Sequence, residues 1–264
     1  MYPFELHRAA SAADAAALVP GKADGKFLAG GQSLLAAMKL RLAAPSDLID
    51  LAAAADLEGI RTDGSTLTIG AMTTHAGVAA SAEVRRAIPA LAALAAGIGD
   101  PQVRNAGTLG GSLAHNDPAA DYPAAVLGLG ATIHTNKRAL HADGFFRGLY
   151  DTALEAGELI TAVSFPVPQK AAWVKFKNPA SRFAIIGVMV AQTAAGPRVA
   201  VTGGGSGVFR VADMERALAG DWSAAAIAQV TVPASGLSTD LHASAGYRAH
   251  LIGVLARRAV DAAR

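Results

Sequence analysis

The sequence predicts an α+β protein built as two units, residues 1–168 and 169–264, and three observations lead there. Short strand-like runs alternate with alanine-rich helical runs as far as residue 165. Pro166-Val167-Pro168 then interrupts the pattern, because proline fixes φ and removes a backbone donor. Beyond it come three alternating runs, at 171–176, 184–192 and 198–202, the signature of an antiparallel sheet, and after them helical segments. No internal repeat is present.

The elements read in order as follows. Residues 11–19 form a short helix with Ser11 as its cap and Pro20-Gly21 as its stop. Residues 26–30 make a strand running into a glycine turn, and 34–42 a helix. Strands follow at 47–51 and 66–70. Residues 73–97 hold two or three alanine-rich helical pieces, one starting at Pro89. Residues 100–111 read as loop. Asn116-Asp117-Pro118 reads as a helix start, with the helix reaching Leu129. Residues 131–135 and 138–142 flank Asn136-Lys137 as a hairpin, and 159–165 form a further strand. In the second unit, two or three helices are expected, at 211–219, 224–230 and 243–263.

Composition narrows the function. Hydrophobic residues make up 52% of 264 and charged residues 17%, a globular balance. A chain this long buries roughly 75% of its unfolded surface. The 23 basic residues face 21 acidic ones, and no basic block is interleaved with aromatics, so nucleic-acid binding has no support. The absence of cysteine excludes disulfides, cysteine-ligated zinc and a thiolate-held iron–sulfur cluster in this chain. The seven histidines form no H-E-x-x-H pair. The first ten residues carry no apolar run of a secretory signal, and no stretch has the roughly 20 apolar residues of a membrane span. A soluble cytoplasmic protein is expected.

Two glycine loops carry the chemistry. The first is Leu28-Ala29-Gly30-Gly31-Gln32-Ser33-Leu34, between a strand and a helix. The second is Asn105-Ala106-Gly107-Thr108-Leu109-Gly110-Gly111-Ser112. Each is expected to present free backbone N–H groups, with Gln32, Ser33, Thr108 and Ser112 as side-chain donors. Glycine lets an anion approach the backbone and permits unusual dihedrals. A hydrogen bond to a charged group contributes about 1.5–3 kcal/mol, so a handful can hold a diphosphate without lysine. Alone, either loop also reads as an ordinary turn. Gly203-Gly204-Gly205-Ser206-Gly207 is followed by Val208, which breaks G-x-G-x-x-G, and reads as a turn.

Taken together, the loops resemble the flavoprotein (medium) subunits of the xanthine dehydrogenase and aerobic carbon monoxide dehydrogenase family. The first is similar to that family's AGG[HQ]SL element. The second lies in a stretch from Ile98 to Asp121 similar to V-R-N-x-G-T-[IL]-G-G-S-[IL] followed by D-P-x-x-D. Ile69-Gly70-Ala71-Met72-Thr73-Thr74-His75 resembles I-G-A-x-T-T-[HY]. Lys175 to Ala184 resembles K-x-x-x-x-x-[SD]-[RY]-[FY]-A of carbon monoxide dehydrogenase-like members, and the segments 243–248 and 257–259 resemble the family's C-terminal helix.

The resemblance implies a two-subdomain FAD-binding fold of the vanillyl-alcohol oxidase type, with subdomains at about 1–55 and 56–168. A smaller C-terminal α+β domain, 169–264, would hold a three-stranded antiparallel sheet with helices. It implies that Ala29, Gly30, Gly31, Gln32, Ser33 and Leu34, with Thr108, Leu109, Gly110, Gly111 and Ser112, grip the FAD diphosphate and ribityl region. Asp121 accepts hydrogen bonds from ribose or nearby FAD groups, or else is a first-turn charge of the Pro118 helix. Ala71 and Thr74 line the cofactor, or else Thr73 or Thr74 simply caps a helix. Phe183 lies beside the isoalloxazine, or else in the core. Lys26 lies near phosphate or in solvent, and Arg104 pairs with phosphate or with Asp100.

No catalytic residue and no metal ligand is expected here, because the flavin carries the redox chemistry. A large subunit with the molybdenum cofactor and a small subunit with two [2Fe–2S] clusters are the implied partners, in a dimer of heterotrimers. Quinone, NAD and oxygen are all open as final acceptors. The alternatives are a self-sufficient FAD oxidoreductase of the same superfold and a scaffold subunit without FAD.

Overall fold

A computed structural model describes residues 1–22 and 24–264. The fold is α+β. It opens with a small parallel sheet in the order β1-β3-β2, formed by Glu5–Arg8 (β1), Lys26–Leu28 (β2) and Asp47–Asp50 (β3). Helix α1 (Ala12–Ala17) joins β1 to β2, and its cap is Ser11, whose Oγ accepts from the Asp14 N–H at 3.1 Å. Helix α2 (Leu34–Lys39) ends three residues earlier than expected, because Arg41 takes a left-handed conformation (φ +61°) that stops the helix. Ile49, Leu51 and Leu57 pack beneath this sheet with Ala15, Met72 and Leu159.

The next stretch builds a five-stranded antiparallel sheet, in the order β4-β5-β10-β6-β7. Its strands are Ile60–Thr62 (β4), Thr66–Gly70 (β5), Thr132–Thr135 (β6), Ala139–His141 (β7) and Ile160–Pro166 (β10). Phe146–Gly148 (β8) and Asp151–Thr152 (β9) form a separate hairpin. The helices between β5 and β6 are His75–Ala80 (α3), Ala82–Ala87 (α4), Pro89–Ala96 (α5), Pro101–Ala106 (α6), Leu109–His115 (α7) and Tyr122–Gly128 (α8). α5 and α8 are apolar on nearly every side and form the main core with Leu67, Ile69, Phe145 and Phe165.

Two expectations fail here. The loop expected at 100–111 is largely two short helices. Asp100 caps α6 through Oδ1 to the Val103 N–H (2.9 Å), and Pro101 supplies its first residue. The helix expected to start at Asn116 does not start there. Asn116 ends α7 in a left-handed conformation (φ +47°), and its buried amide donates to the carbonyls of Gly148 and Asp151, so α8 begins only at Tyr122.

The remaining chain forms an antiparallel sheet of Lys170–Lys177 (β11), Ala184–Thr193 (β12), Gly196–Thr202 (β13) and the two-residue Phe209–Arg210 (β14), in that order. β14 adds an edge strand to the three expected, and it is too short to show alternation. Helices α9 (Ala212–Gly220) and α10 (Ala245–Ala262) cover one face, while the other packs on α5 and α8. β12 is therefore buried almost end to end rather than alternately. The helix expected at 224–230 is a run of turns, in which Ile227 alone is buried. Among the described residues, no helix is long and apolar enough to cross a membrane.

Candidate functional site

The first glycine loop leaves β2 at Leu28 and enters α2 at Leu34. Gly30 is pressed against the second loop: a Cβ there would lie 1.9 Å from the Ala106 carbonyl oxygen. Gly31 takes φ +69°, open to glycine without a Cβ penalty. Among the described residues, the N–H groups of Gly30, Gly31, Gln32, Ser33 and Leu34 donate to no protein acceptor. Five consecutive free donors on a cleft wall call for an acceptor from outside the chain.

The second loop differs: of the free N–H groups expected there, only that of Thr108 lacks a protein acceptor among the described residues. Leu109 N–H donates to Thr73 O (3.1 Å), Gly110 N–H to Ala71 O (2.8 Å), and Ser112 N–H to Thr108 O (3.1 Å). Gly111 N–H goes to Thr108 Oγ1 (3.1 Å), the cap of α7. Glycine serves close packing here. A Cβ on Gly110 would meet that of Ala71 at 2.6 Å, and one on Gly111 would meet Thr108 Oγ1 at 2.9 Å and Ala29 Cβ at 3.4 Å. The loop is a rigid wall against which the first loop is held.

A third wall comes from the C-terminal sheet. Lys175 Nζ donates to Asp121 Oδ2 (2.6 Å) and to Gly97 O (3.2 Å), with both charged side chains under 10% exposed. Burial pushes the Asp121 carboxyl up to about 6, against the pull of Lys175. Its Oδ1 is sealed from solvent and has no partner. Buried Thr202 fixes this segment, with Oγ1 donating to the carbonyls of Pro118 (3.0 Å) and Ala120 (2.7 Å). Arg182 donates to Gly99 O (3.2 Å), and the neighbouring Phe183 stands 48% exposed at the rim.

The three walls enclose a cleft of about 590 Å³, within the range of cofactor sites. Ala29, Gly30, Gly31, Gln32, Ser33, Leu34, Ala71, Thr108, Gly110, Gly111, Ser112, Asp121 and Phe183 line it. Thr74 and Leu109 stand outside its lining. The Thr74 hydroxyl caps α3 by accepting from Gly77 N–H (3.1 Å), and Leu109 is fully buried in the core. Asp121 does not cap α8; its carboxylate belongs to the Lys175 pair. Lys26 lines the cleft with its side chain exposed to solvent, and Arg104 donates to the carbonyls of Ile98 and Gly99.

Lys175 and His75 are cleft residues to which sequence reasoning gave no role. One signal for Lys175 was present. Ala171 and Trp173, at alternate positions of β11, pack on the main core, and Lys175 continues that face with a charge.

Residues 2–168 match the family model described as the FAD binding domain in molybdopterin dehydrogenase. The chain is 37% identical to the carbon monoxide dehydrogenase medium chain of Hydrogenophaga pseudoflava, over 98% of this chain and 96% of that one. It is 36% identical to the nicotine 6-hydroxylase medium subunit of Paenarthrobacter nicotinovorans, over 95% and 94%. Among solved structures it superposes on a chain of the Hydrogenophaga pseudoflava carbon monoxide dehydrogenase with a TM-score of 0.90 at 36% identity, covering 99% of this chain and 98% of that one.

Proposed function

The chain belongs to the FAD-binding family of molybdopterin dehydrogenases, and from this we propose that it is the electron-transfer flavoprotein subunit of a molybdenum hydroxylase complex. The observation that carries the proposal is the cleft. Its residues fit FAD by the chemistry they offer. Five unpaired N–H groups at 30–34 suit the diphosphate oxygens. The missing Cβ atoms of Gly30 and Gly111 keep the two loops in contact. The unpartnered Oδ1 of Asp121 suits a hydroxyl or N–H donor.

Bound there, FAD would supply the redox chemistry of electron transfer, and the protein would position and tune it. The chain's residues bind and orient it. The first loop would hold the phosphates through neutral N–H donors, as neither loop contains a lysine. Ala71, Thr108, Gly110, Gly111 and Ser112 form the fixed wall opposite. The Asp121–Lys175 pair and Phe183 close the end at which the C-terminal domain meets the first, and this is the end we assign to the isoalloxazine.

In this reading a small partner subunit would donate the electrons from its [2Fe–2S] clusters, and a large one with the molybdenum cofactor would supply them. The electrons leave for an external acceptor. The relatives' names as medium chains and subunits support this division of labour. The purified FAD-loaded chain is expected to turn over no aldehyde, purine or carbon monoxide. The chain within its complex is expected to have its flavin bleached by the complex's substrate. Robust turnover by the single chain would overturn the electron-transfer reading.

A further inference from the structure

We propose that His75 is a further cofactor-binding side chain of this cleft, its Nε2–H donating to an oxygen of the phosphate–ribityl portion of FAD. The proposal rests on the FAD reading above and adds a residue to it.

His75 is the first residue of α3, directly after the cap Thr74. Its backbone is pinned, because its N–H donates to Gly107 O (2.9 Å) within the bridge between Thr74 and Thr108. The imidazole is only 5% exposed, yet it lines the cleft between the two glycine loops. Its two nitrogens differ. Nδ1 is sealed and has no hydrogen-bond partner. Nε2 points at Gly107, itself a cleft residue, where a Cβ would come within 2.6 Å of it. The absent side chain at 107 is the space this nitrogen occupies.

A buried imidazole with no protein partner on either nitrogen is a poor core residue, since an aliphatic side chain would fill the same volume without an unmet polar group. The ring is also held neutral. Burial, and then the positive charge of Arg104, push its pKa down to about 4. A neutral ring carries one N–H. On Nδ1 that hydrogen would be a sealed, unpaired donor, so the favoured tautomer places it on Nε2, facing the cleft. The ring leans on Tyr122 with centroids 5.3 Å apart, which fixes its plane. The result is a preorientated neutral donor beside the second loop, where Leu109, Gly110, Gly111 and Ser112 spend their N–H groups on protein acceptors. An oxygen-rich ligand segment lying between the two loops supplies the missing acceptor.

Three substitutions separate this role from packing. His75→Gln keeps an amide nitrogen at the reach of Nε2, His75→Asn places one at the reach of Nδ1, and His75→Leu keeps bulk alone. FAD dissociation constants would be measured by fluorescence titration, with the melting temperature of each apoprotein as the control. The Leu and Asn variants are expected to bind about 10-fold or more weakly, the effect of one hydrogen bond to a charged or strongly polar oxygen. The Gln variant is expected to return to within about threefold of the parent. The Leu apoprotein should melt no lower than the parent. In the parent, ring ¹⁵N resonances should show Nε2 protonated and shifting on FAD addition while Nδ1 stays still. Parent-like affinity in the Leu variant, equal losses in Gln and Asn, or a silent Nε2 would each overturn the proposal while leaving the FAD reading intact. A parent protein that takes up no FAD, alone or co-expressed with its partner subunits, would overturn both.

Discussion

Gly30→Ala is the sharpest perturbation of the cleft. The added Cβ would lie 1.9 Å from Ala106 O, 2.6 Å from Ala106 C and 2.8 Å from Gly107 Cα. All three are backbone atoms, so no rotamer change relieves the clash. Reaching ordinary contact distance requires the first loop to withdraw by roughly 1–2 Å. Overpacking of this kind costs about 1–3 kcal/mol in the apoprotein. A shift of that size misplaces the free N–H groups at 30–34. Losing two such bonds to phosphate, at about 1.5–3 kcal/mol each, raises the FAD dissociation constant by roughly 10²–10⁴. Fluorescence titration reads the affinity. Thermal melting of the apoprotein, expected to fall by about 2–4 °C per kcal/mol, shows that the variant still folds. A folded Gly30→Ala chain that binds FAD within threefold of the parent would refute the contact between the loops as the basis of the site.

Asp121→Asn should destabilise the protein by about 3–5 kcal/mol in urea unfolding, because it leaves the Lys175 ammonium buried without its counter-charge. The double variant Asp121→Asn/Lys175→Met should recover much of that loss, and a double variant no more stable than the single one would show that the pair is not coupled. Glu158 contributes to the acid limb of stability. The Arg138 guanidinium, with the Glu155 N–H and Thr135 hydroxyl, holds its carboxyl down to about 2. Its folded pKa lies below the unfolded one, so the contribution is complete above about pH 4.5 and is lost as pH falls toward 2. Because Arg138 is partly solvated, this amounts to about 1–2 kcal/mol. Melting curves from pH 6 to 2 should show Glu158→Gln less stable at pH 6 and converging with the parent at low pH; parallel curves would contradict the assignment.

Local signals carried much of the fold. Ser11 before an alanine run, Pro89 at a helix start and the β-branched apolar run at 184–192 correspond to α1, α5 and β12. Failures came where one residue type serves two geometries. Asn116 before a proline looks like a cap, but an asparagine equally ends a helix in the left-handed region, and its buried amide ties it to the β8–β9 hairpin more than 30 residues away. The glycines at 107–111 suggested loop, yet Asp100 and Thr108 cap helices there, and glycine is retained because Ala71, His75 and Ala29 approach so closely. That approach is a tertiary fact with no local trace. The same holds for the Asp121–Lys175 pair, 54 positions apart, and for the division of labour between the loops, one with five free donors and one with a single free donor at Thr108 among the described residues.

The most direct test of the account is a titration of the purified chain with FAD, followed in the flavin absorption band, with chromatographic identification of the cofactor released on denaturation. One FAD per chain, with no FMN, is the predicted result. A chain that takes up no FAD alone, and none when co-expressed with its partner subunits, would contradict the assignment of the cleft.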